Sequence, residues 1–249
     1  TQKDTGGLEI KWGDGDVLVE VVKQIASGEG LGKLFSEGIV GAAKRIGGGA
    51  EELTVHVKNL DFPAHDPRAV FGLAVNYATG TRGACHERGD PQSGALGLAY
   101  PELGFPEPPQ NFDMEAAPRV AKAWQDASSL YNQLTFCKFM VKGSTMTLTQ
   151  IREAFNYITG WGWEVKDLIR AAERVMTMER LINVRDGISR KDDVLPKKMF
   201  IPAKEGGRAG KVPEPFDKAL DEYYAMRGWD KNGIPTKETL KNLGLEEFV

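Results

Sequence analysis

Apolar residues in this sequence recur with helical rather than strand spacing, and this feature constrains the fold more than any other. The clearest stripe starts near Glu115, has a proline in its first turn and comprises Val120, Trp124, Ala127, Tyr131 and Leu134. Alternation typical of a strand is confined to residues 54–57. The pattern therefore predicts an all-α, multi-helical protein with very little strand.

The remaining helices are predicted from spacing and from their end signals. The first of them begins after residue 16 and ends at Gly28. The others cover residues 34–46, 68–77, 148–157, 165–176 and 216–226, and a last short helix is capped by Thr236. Thr147 and Gln150 form a capping box. Residues 89–113 are rich in proline and glycine and are predicted to form a long ordered surface loop. We place a domain boundary near Pro63, which gives domains 1–62 and 63–249.

Composition limits the classes of partner. The chain of 249 residues has 32 Lys and Arg, 35 Asp and Glu and a net charge of −3. Because the two signs are interspersed, we expect no nucleic acid and no membrane as partners, and no apolar run reaches the length of a membrane span. Two distant cysteines fit a reducing cytoplasm better than a disulfide framework. The chain does not begin with Met, so we expect a piece of a longer protein.

The stretch NYATGTRGACHERGD, residues 76–90, combines three glycines with two arginines, a cysteine and a histidine, and could hold a metal, bind a phosphate or simply form a turn. His86 on a glycine-rich turn can exchange protons near neutral pH or can simply hydrogen-bond the loop to itself. Arg82 and Arg88 can contact phosphate or can be solvated surface residues. A nucleophilic pair of Cys85 and His86 is disfavoured, since adjacent side chains rarely face each other. The glycine-rich turn would also let His86 approach a ligand closely.

Three other features favour structural roles on residue type alone. Cys137 follows the long helix among apolar neighbours, which is typical of a buried structural thiol, and the sequence offers no partners at metal-ligand spacing. His56 and His65 are interpreted as loop-anchoring hydrogen bonders. The segment RKDDVLPKK is interpreted as a solvated charge cluster at a turn.

Four ordered segments, taken together, resemble the tungsten-containing aldehyde:ferredoxin oxidoreductases. They are HDPRAVFGLAVNYATGTRGACH, NQLTFCKF, ERLINVRDGISRKDDVLPKK and YYAMRGWDKNGIPTKETLKNLGL. The resemblance covers nearly the whole chain and matches the carboxy-terminal part of a family member. Residues 1–62 would then be the tail of the middle helical domain, and residues 63–249 the last helical domain.

The resemblance implies two cofactors, a tungsten bis-pterin and a [4Fe-4S] cluster. In the family a CxxCxxxC run in the middle domain and one cysteine of the last domain hold the cluster, and Cys137 matches that last ligand. This implication replaces the structural interpretation of Cys137. His86 matches a histidine beside the tungsten that acts in proton transfer. Arg88 matches a basic residue that touches the pterin, and Lys138 would add positive charge between cluster and cofactor.

The family motif before that cysteine is Asp-x-x-Gly-Leu-Cys, whose residues contact a pterin. This chain has Asn132, Thr135 and Phe136 at the aspartate, glycine and leucine positions. An amide can still pair with ring N–H groups but carries no charge. These departures and the proline-rich insert favour, slightly, the class II benzoyl-CoA reductase branch over a plain aldehyde oxidoreductase.

The resemblance therefore implies part of a tungstopterin iron-sulfur oxidoreductase that acts on an aldehyde or an aromatic acyl-CoA. Its expected partners are the missing amino-terminal domains or chain, a ferredoxin-like electron carrier and a small-molecule substrate, and a homo-oligomer is consistent with the family. We expect the chain to be inactive alone. The alternative is a non-catalytic helical interaction module, or a separate subunit, derived from the same family.

Overall fold

The computed structural model describes residues 5–141 and 146–248, apart from the side chains of residues 93–95. By contacts it divides into two compact units, Thr1–Val55 and His56–Val249. The boundary predicted between residues 62 and 63 concerns the domains of a longer protein, and it stays a prediction. None of the helices in the described residues is long and apolar enough to cross a bilayer.

The described part of the first unit, from residue 5 onward, contains three α-helices, α1 (Gly15–Ser27), α2 (Leu31–Phe35) and α3 (Gly38–Ile46). Asp14 caps α1 by accepting a hydrogen bond from the backbone N–H of Val17. The single helix predicted over residues 34–46 is instead interrupted, because Gly38 has a φ of 73°, which a continuous right-handed helix does not allow.

The second unit opens with a small antiparallel hairpin. Its strands are β1 (His56–Val57) and β2 (Leu60–Asp61), with His56 opposite Asp61. The connecting residues Lys58 and Asn59 both have positive φ, which is the geometry of a tight two-residue hairpin turn. The described residues contain no other strands beyond isolated bridges, so the all-α prediction is confirmed.

Helix α5 (Ala117–Gln133) lies at the centre of the second unit. It packs against α4 (Phe71–Thr79), α7 (Val165–Arg185) and α8 (Phe216–Arg227). Its predicted apolar stripe is buried from Val120 through Tyr131. The preceding loop carries 3-10 turns, Pro91–Leu96 and Pro101–Leu103, and is tied to α5 because the Tyr100 and Phe105 rings pack on Trp124. This anchoring fixes the loop beside the site described below.

Two of the remaining helices begin at their predicted caps, whereas α7 extends past its predicted end. Helix α6 (Leu148–Thr159) begins at the capping box of Thr147 and Gln150, and α9 (Lys237–Leu243) is capped by Thr236. Helix α7 continues well beyond residue 176 because its buried face includes Thr177 and Arg180. Polar residues on a buried face are invisible to an apolar pattern, which explains the predicted early end.

In the segment RKDDVLPKK the lysines at 191, 197 and 198 are exposed, as predicted for a solvated cluster, but the prediction is wrong for Asp193, which is completely buried. Its carboxylate lies 2.7 Å from Lys58 Nζ and 2.8 Å from Arg180 Nη2, and it accepts a 2.5 Å hydrogen bond from the Tyr224 hydroxyl. Lys58 also donates to the carbonyl oxygen of Ala78 near the end of α4. This Asp193 cluster (Lys58, Arg180, Asp193 and Tyr224) joins the hairpin, α4, α7 and α8.

Candidate functional site

The loop after α4 is shaped by contacts with the protein's own backbone and side chains. A side chain at Gly83 would come within 2.3 Å of the Val57 carbonyl oxygen, and one at Gly89 within 2.2 Å of Asn76 Oδ1. Asn76 Nδ2 donates to the carbonyl oxygens of Cys85 and Gly89 at 3.1 and 3.0 Å. These glycines therefore permit close packing within the protein.

His86 is held by two neighbours on this loop side of the protein. Its Nε2 lies 2.8 Å from Glu87 Oε1, and its ring packs on the ring of His65 with centroids 4.6 Å apart. Burial lowers the pKa of His86, and Lys138 and His65 lower it further against the opposing effect of Glu87 and Asp90. The imidazole is therefore neutral at pH 7.

Glu87 connects His86 to the segment that contains Cys137. Its second carboxylate oxygen, Oε2, lies 2.6 Å from Lys138 Nζ, and the same ammonium lies 3.5 Å from Asp90 Oδ2. Reasoning from the sequence missed Glu87 as a site residue. Its position between His86 and Arg88 was the available signal.

Helix α7 anchors Arg88 and the start of the loop. Arg88 Nη1 lies 3.0 Å from Glu179 Oε1, and the Thr81 hydroxyl donates to Glu179 Oε2 at 2.6 Å. One turn later, Asn183 Nδ2 donates to the Thr81 carbonyl oxygen. Glu179 was also missed, although it opens the third family-like segment.

Residues 132–138 include the last two residues of α5 and the segment after it, which returns to the same loop where Lys138 meets Glu87. Thr135 has a φ of 54°, in the left-handed region that glycine adopts most easily. The glycine of the family motif therefore suits this backbone, and Thr135 occupies it at a conformational cost. Asn132 is exposed, and the Phe136 ring lies half-buried with its centroid 6.3 Å from that of Tyr131.

Cys137 is exposed, so the interpretation as a buried structural thiol is wrong. Its apolar neighbours are also exposed to solvent, Phe139 by 65% and Met140 by 44%. Cys85, in contrast, is buried, and Arg82 Nη2 donates to its sulfur at 2.8 Å.

A cavity of about 380 Å³ brings most of the predicted residues together. Five of the predicted residues line it: Arg88, Asn132, Phe136, Cys137 and Lys138. Glu87, which was missed, and Arg82 also line it. His86 and Thr135 are not lining residues, but His86 reaches the cavity through Glu87. Three cationic side chains and one carboxylate face this space, so the cavity suits an anionic group beside a thiol.

The described residues contain no group of three or more His, Cys, Asp and Glu side chains able to hold a metal ion. A metal ion at Cys137 would therefore need ligands from outside the described residues.

The other two histidines differ in their hydrogen bonds. His56 Nδ1 is buried and has no hydrogen-bond partner within the described part of the chain, whereas His65 bonds through its backbone N–H and carbonyl.

Comparison with known proteins gives one family. The profile described as "Aldehyde ferredoxin oxidoreductase, domains 2 & 3" matches residues 1–245. The tungsten-containing aldehyde ferredoxin oxidoreductase of Pyrococcus abyssi is 33% identical over all of this chain and 40% of its own length. That of Pyrococcus furiosus is 32% identical over 96% of the chain and 38% of its own length.

A solved structure shares the fold. The matching chain belongs to the active site complex BamBC of benzoyl coenzyme A reductase with 1,5 dienoyl-CoA; it superposes with a TM-score of 0.73 at 22% identity, over 99% of this chain and 41% of that chain. The chain thus spans about two fifths of the length of these relatives. On the profile match and the identity to its relatives, the chain belongs to the aldehyde ferredoxin oxidoreductase family.

Proposed function

We propose that the chain is the carboxy-terminal part of a tungstopterin, iron-sulfur oxidoreductase that acts on an aldehyde or an aromatic acyl-CoA and passes electrons through a [4Fe-4S] cluster. One observation carries this proposal: an exposed thiol, Cys137, lines a cation-rich cavity that Glu87 connects to His86. The relatives named above are tungsten-containing oxidoreductases, which supports the class of reaction.

Cys137 would supply one thiolate to the cluster. A cluster ligand must be a reachable sulfur rather than a core side chain, and Cys137 is the exposed cysteine of the two. The cluster and the tungsten would supply the low-potential electron transfer that side chains cannot perform. The three remaining cluster ligands would come from outside this chain.

The cavity lining would hold the pterin beside the cluster. Arg88 and Lys138 offer positive charge to an anionic cofactor, and Asn132 offers an amide that can pair with ring N–H and carbonyl groups. Thr135 and Phe136 would contribute through the turn that links Asn132 to Cys137. Glu179 keeps Arg88 in place from α7, because its carboxylate binds both Arg88 and Thr81.

His86 would move a proton at its Nδ1 atom. The Glu87 carboxylate occupies Nε2 at 2.8 Å and therefore holds the N–H there, which leaves Nδ1 with its lone pair. Since the lowered pKa keeps the ring neutral at pH 7, Nδ1 can accept a proton from the substrate side and return it.

The rest of the enzyme would come from the missing amino-terminal domains or chain. A ferredoxin-like carrier would accept or deliver the electrons, a small-molecule substrate would reach His86, and a homo-oligomer is consistent with the family. The chain alone would be inactive, since the cluster and the pterin need residues beyond it.

The test is replacement of the thiol in the complete polypeptide. We expect Cys137→Ser to lower the iron content and abolish the visible absorbance of the cluster, while the matched Cys85→Ser variant keeps both, because Cys85 is buried and bonded to Arg82. Full iron occupancy in Cys137→Ser contradicts the proposal. A complete protein without iron or tungsten favours the helical interaction module.

A further inference from the structure

The ring of His65 contacts the ring of His86. We infer that His65 is a positioning residue that fixes the imidazole of His86, the residue proposed above to transfer protons. The inference rests on the proposed function for its consequence in turnover, but its geometric content can be measured separately.

The two rings form a tilted pair. Their centroids are 4.6 Å apart and their planes meet at 58°, which is contact distance for aromatic rings. Glu87 occupies the Nε2 edge of His86. The His65 ring and the Glu87 carboxylate therefore both contact the imidazole, and rotation about its side-chain bonds would break both contacts.

His65 is itself held by its backbone. Its N–H donates to the Pro63 carbonyl oxygen at 2.7 Å, and its own carbonyl oxygen accepts from the hydroxyl of Tyr77, which is completely buried. The next residue, Asp66, is bound by Arg68 Nη2 at 2.6 Å and Arg208 Nε at 2.9 Å. The segment around His65 thus gives His86 a firm support.

The two rings interact electrostatically as well as by packing. His86 is faced by Glu87 and Asp90, which favour its protonated form, and by Lys138 and His65, which disfavour it along with burial. A positive His65 directly opposes a positive His86. A flat apolar ring in place of His65 would keep the ring packing but remove the charge repulsion. Packing and repulsion can therefore be measured separately.

The experiment uses His65→Phe and His65→Ala in the complete protein, with His56→Phe as the matched control on the hairpin. The titration of His86 is followed by NMR of ¹³C-labelled histidine, with the His86 signal assigned by its loss in His86→Gln. We expect His65→Phe to keep kcat/KM within about threefold but to shift the His86 titration to higher pH. His65→Ala should lower kcat/KM about tenfold.

An unchanged His86 signal and titration in both His65 variants would overturn the inference. If His65→Ala does not fold, His65→Phe still tests it through the titration. Failure of the proposed function gives a different result, because His86→Gln would then leave turnover unchanged. The NMR titration of His86 in the His65 variants would still show whether His65 acts on His86. His56→Phe should change neither measurement.

Discussion

Asp193 and Glu87 are each bound by two basic partners, yet their surroundings are opposite. The Asp193 side chain is 0% exposed and bound by Lys58 and Arg180, whereas Glu87 is 48% exposed between His86 and Lys138. A sealed carboxylate cannot exchange its partners for water, so its charge fixes geometry. A half-exposed carboxylate can exchange its partners for water at low cost, and chemistry requires that freedom.

The Asp193 cluster also shows how burial and pairing compete. Burial alone would raise the pKa of Asp193, but the charges of Lys58 and Arg180 outweigh it and lower the pKa below the usual value. Burial lowers the pKa of Lys58 despite the opposing attraction of Asp193. The carboxylate is thus the element on which both buried cations depend.

The largest effect is expected from Asp193→Asn, which leaves Lys58 and Arg180 buried without a counter-charge. We expect the free energy of unfolding to fall by about 3–5 kcal/mol, as measured by urea denaturation. The exposed control Asp186→Asn should leave the midpoint unchanged. A loss below about 1 kcal/mol in Asp193→Asn would contradict a sealed cluster.

The same variant has a predictable pH dependence. Because the pKa of Asp193 is lower in the folded than in the unfolded state, its stabilisation is fully present above the unfolded value of 3.8. It is lost as the pH falls through the lower folded value. The difference between wild type and Asp193→Asn should therefore be constant near neutrality and shrink in strong acid.

At the half-exposed site around Glu87, His86→Gln should lower activity without lowering stability. We expect kcat/KM of the complete enzyme to fall about 100-fold, since positioned proton transfer contributes on that scale, with the unfolding midpoint unchanged. The His56→Gln variant is the control, because His56 lies on the hairpin away from the cavity lining. A large loss of stability in His86→Gln would place His86 with Asp193 as a structural residue.

A smaller effect is expected from Glu87→Gln. The carboxylate raises the pKa of His86, so its removal should lower that pKa further and move the acid limb of the pH–rate profile to lower pH. The amide oxygen can still accept the Nε2–H, so kcat/KM at pH 7 should fall only about fivefold. The exposed Glu107→Gln should leave the profile in place, and an unshifted limb in Glu87→Gln would separate Glu87 from His86.

The sequence predicted what is locally encoded. The caps of α6 and α9 and the stripe of α5 depend on residues within a few positions of each other, and all appear in the fold. The resemblance identified the family, and its predicted residues converge on one cavity apart from His86 and Thr135.

What the sequence could not show depends on distant contacts. The Thr81 to Glu179 bond joins residues 98 positions apart, and Asp193 is buried only because Lys58, Arg180 and Tyr224 come to it from other elements. Charged residues are predicted to be exposed unless the partners that bury them are known. The exposure of Cys137 was missed for the opposite reason, since its apolar neighbours suggested a core.

The smallest expected effect concerns Thr135, where the open site departs from the family motif. A β-branched residue at a φ of 54° is strained, and glycine relieves that strain while adding freedom to the unfolded chain. Because these terms nearly cancel, we expect Thr135→Gly to raise the free energy of unfolding by at most about 1 kcal/mol. Thr135→Ala, which keeps the strain, should not stabilise. If alanine and glycine behave alike, the left-handed turn before Cys137 is not what the glycine of the family motif serves, and close approach of the cofactor becomes the better reason for it.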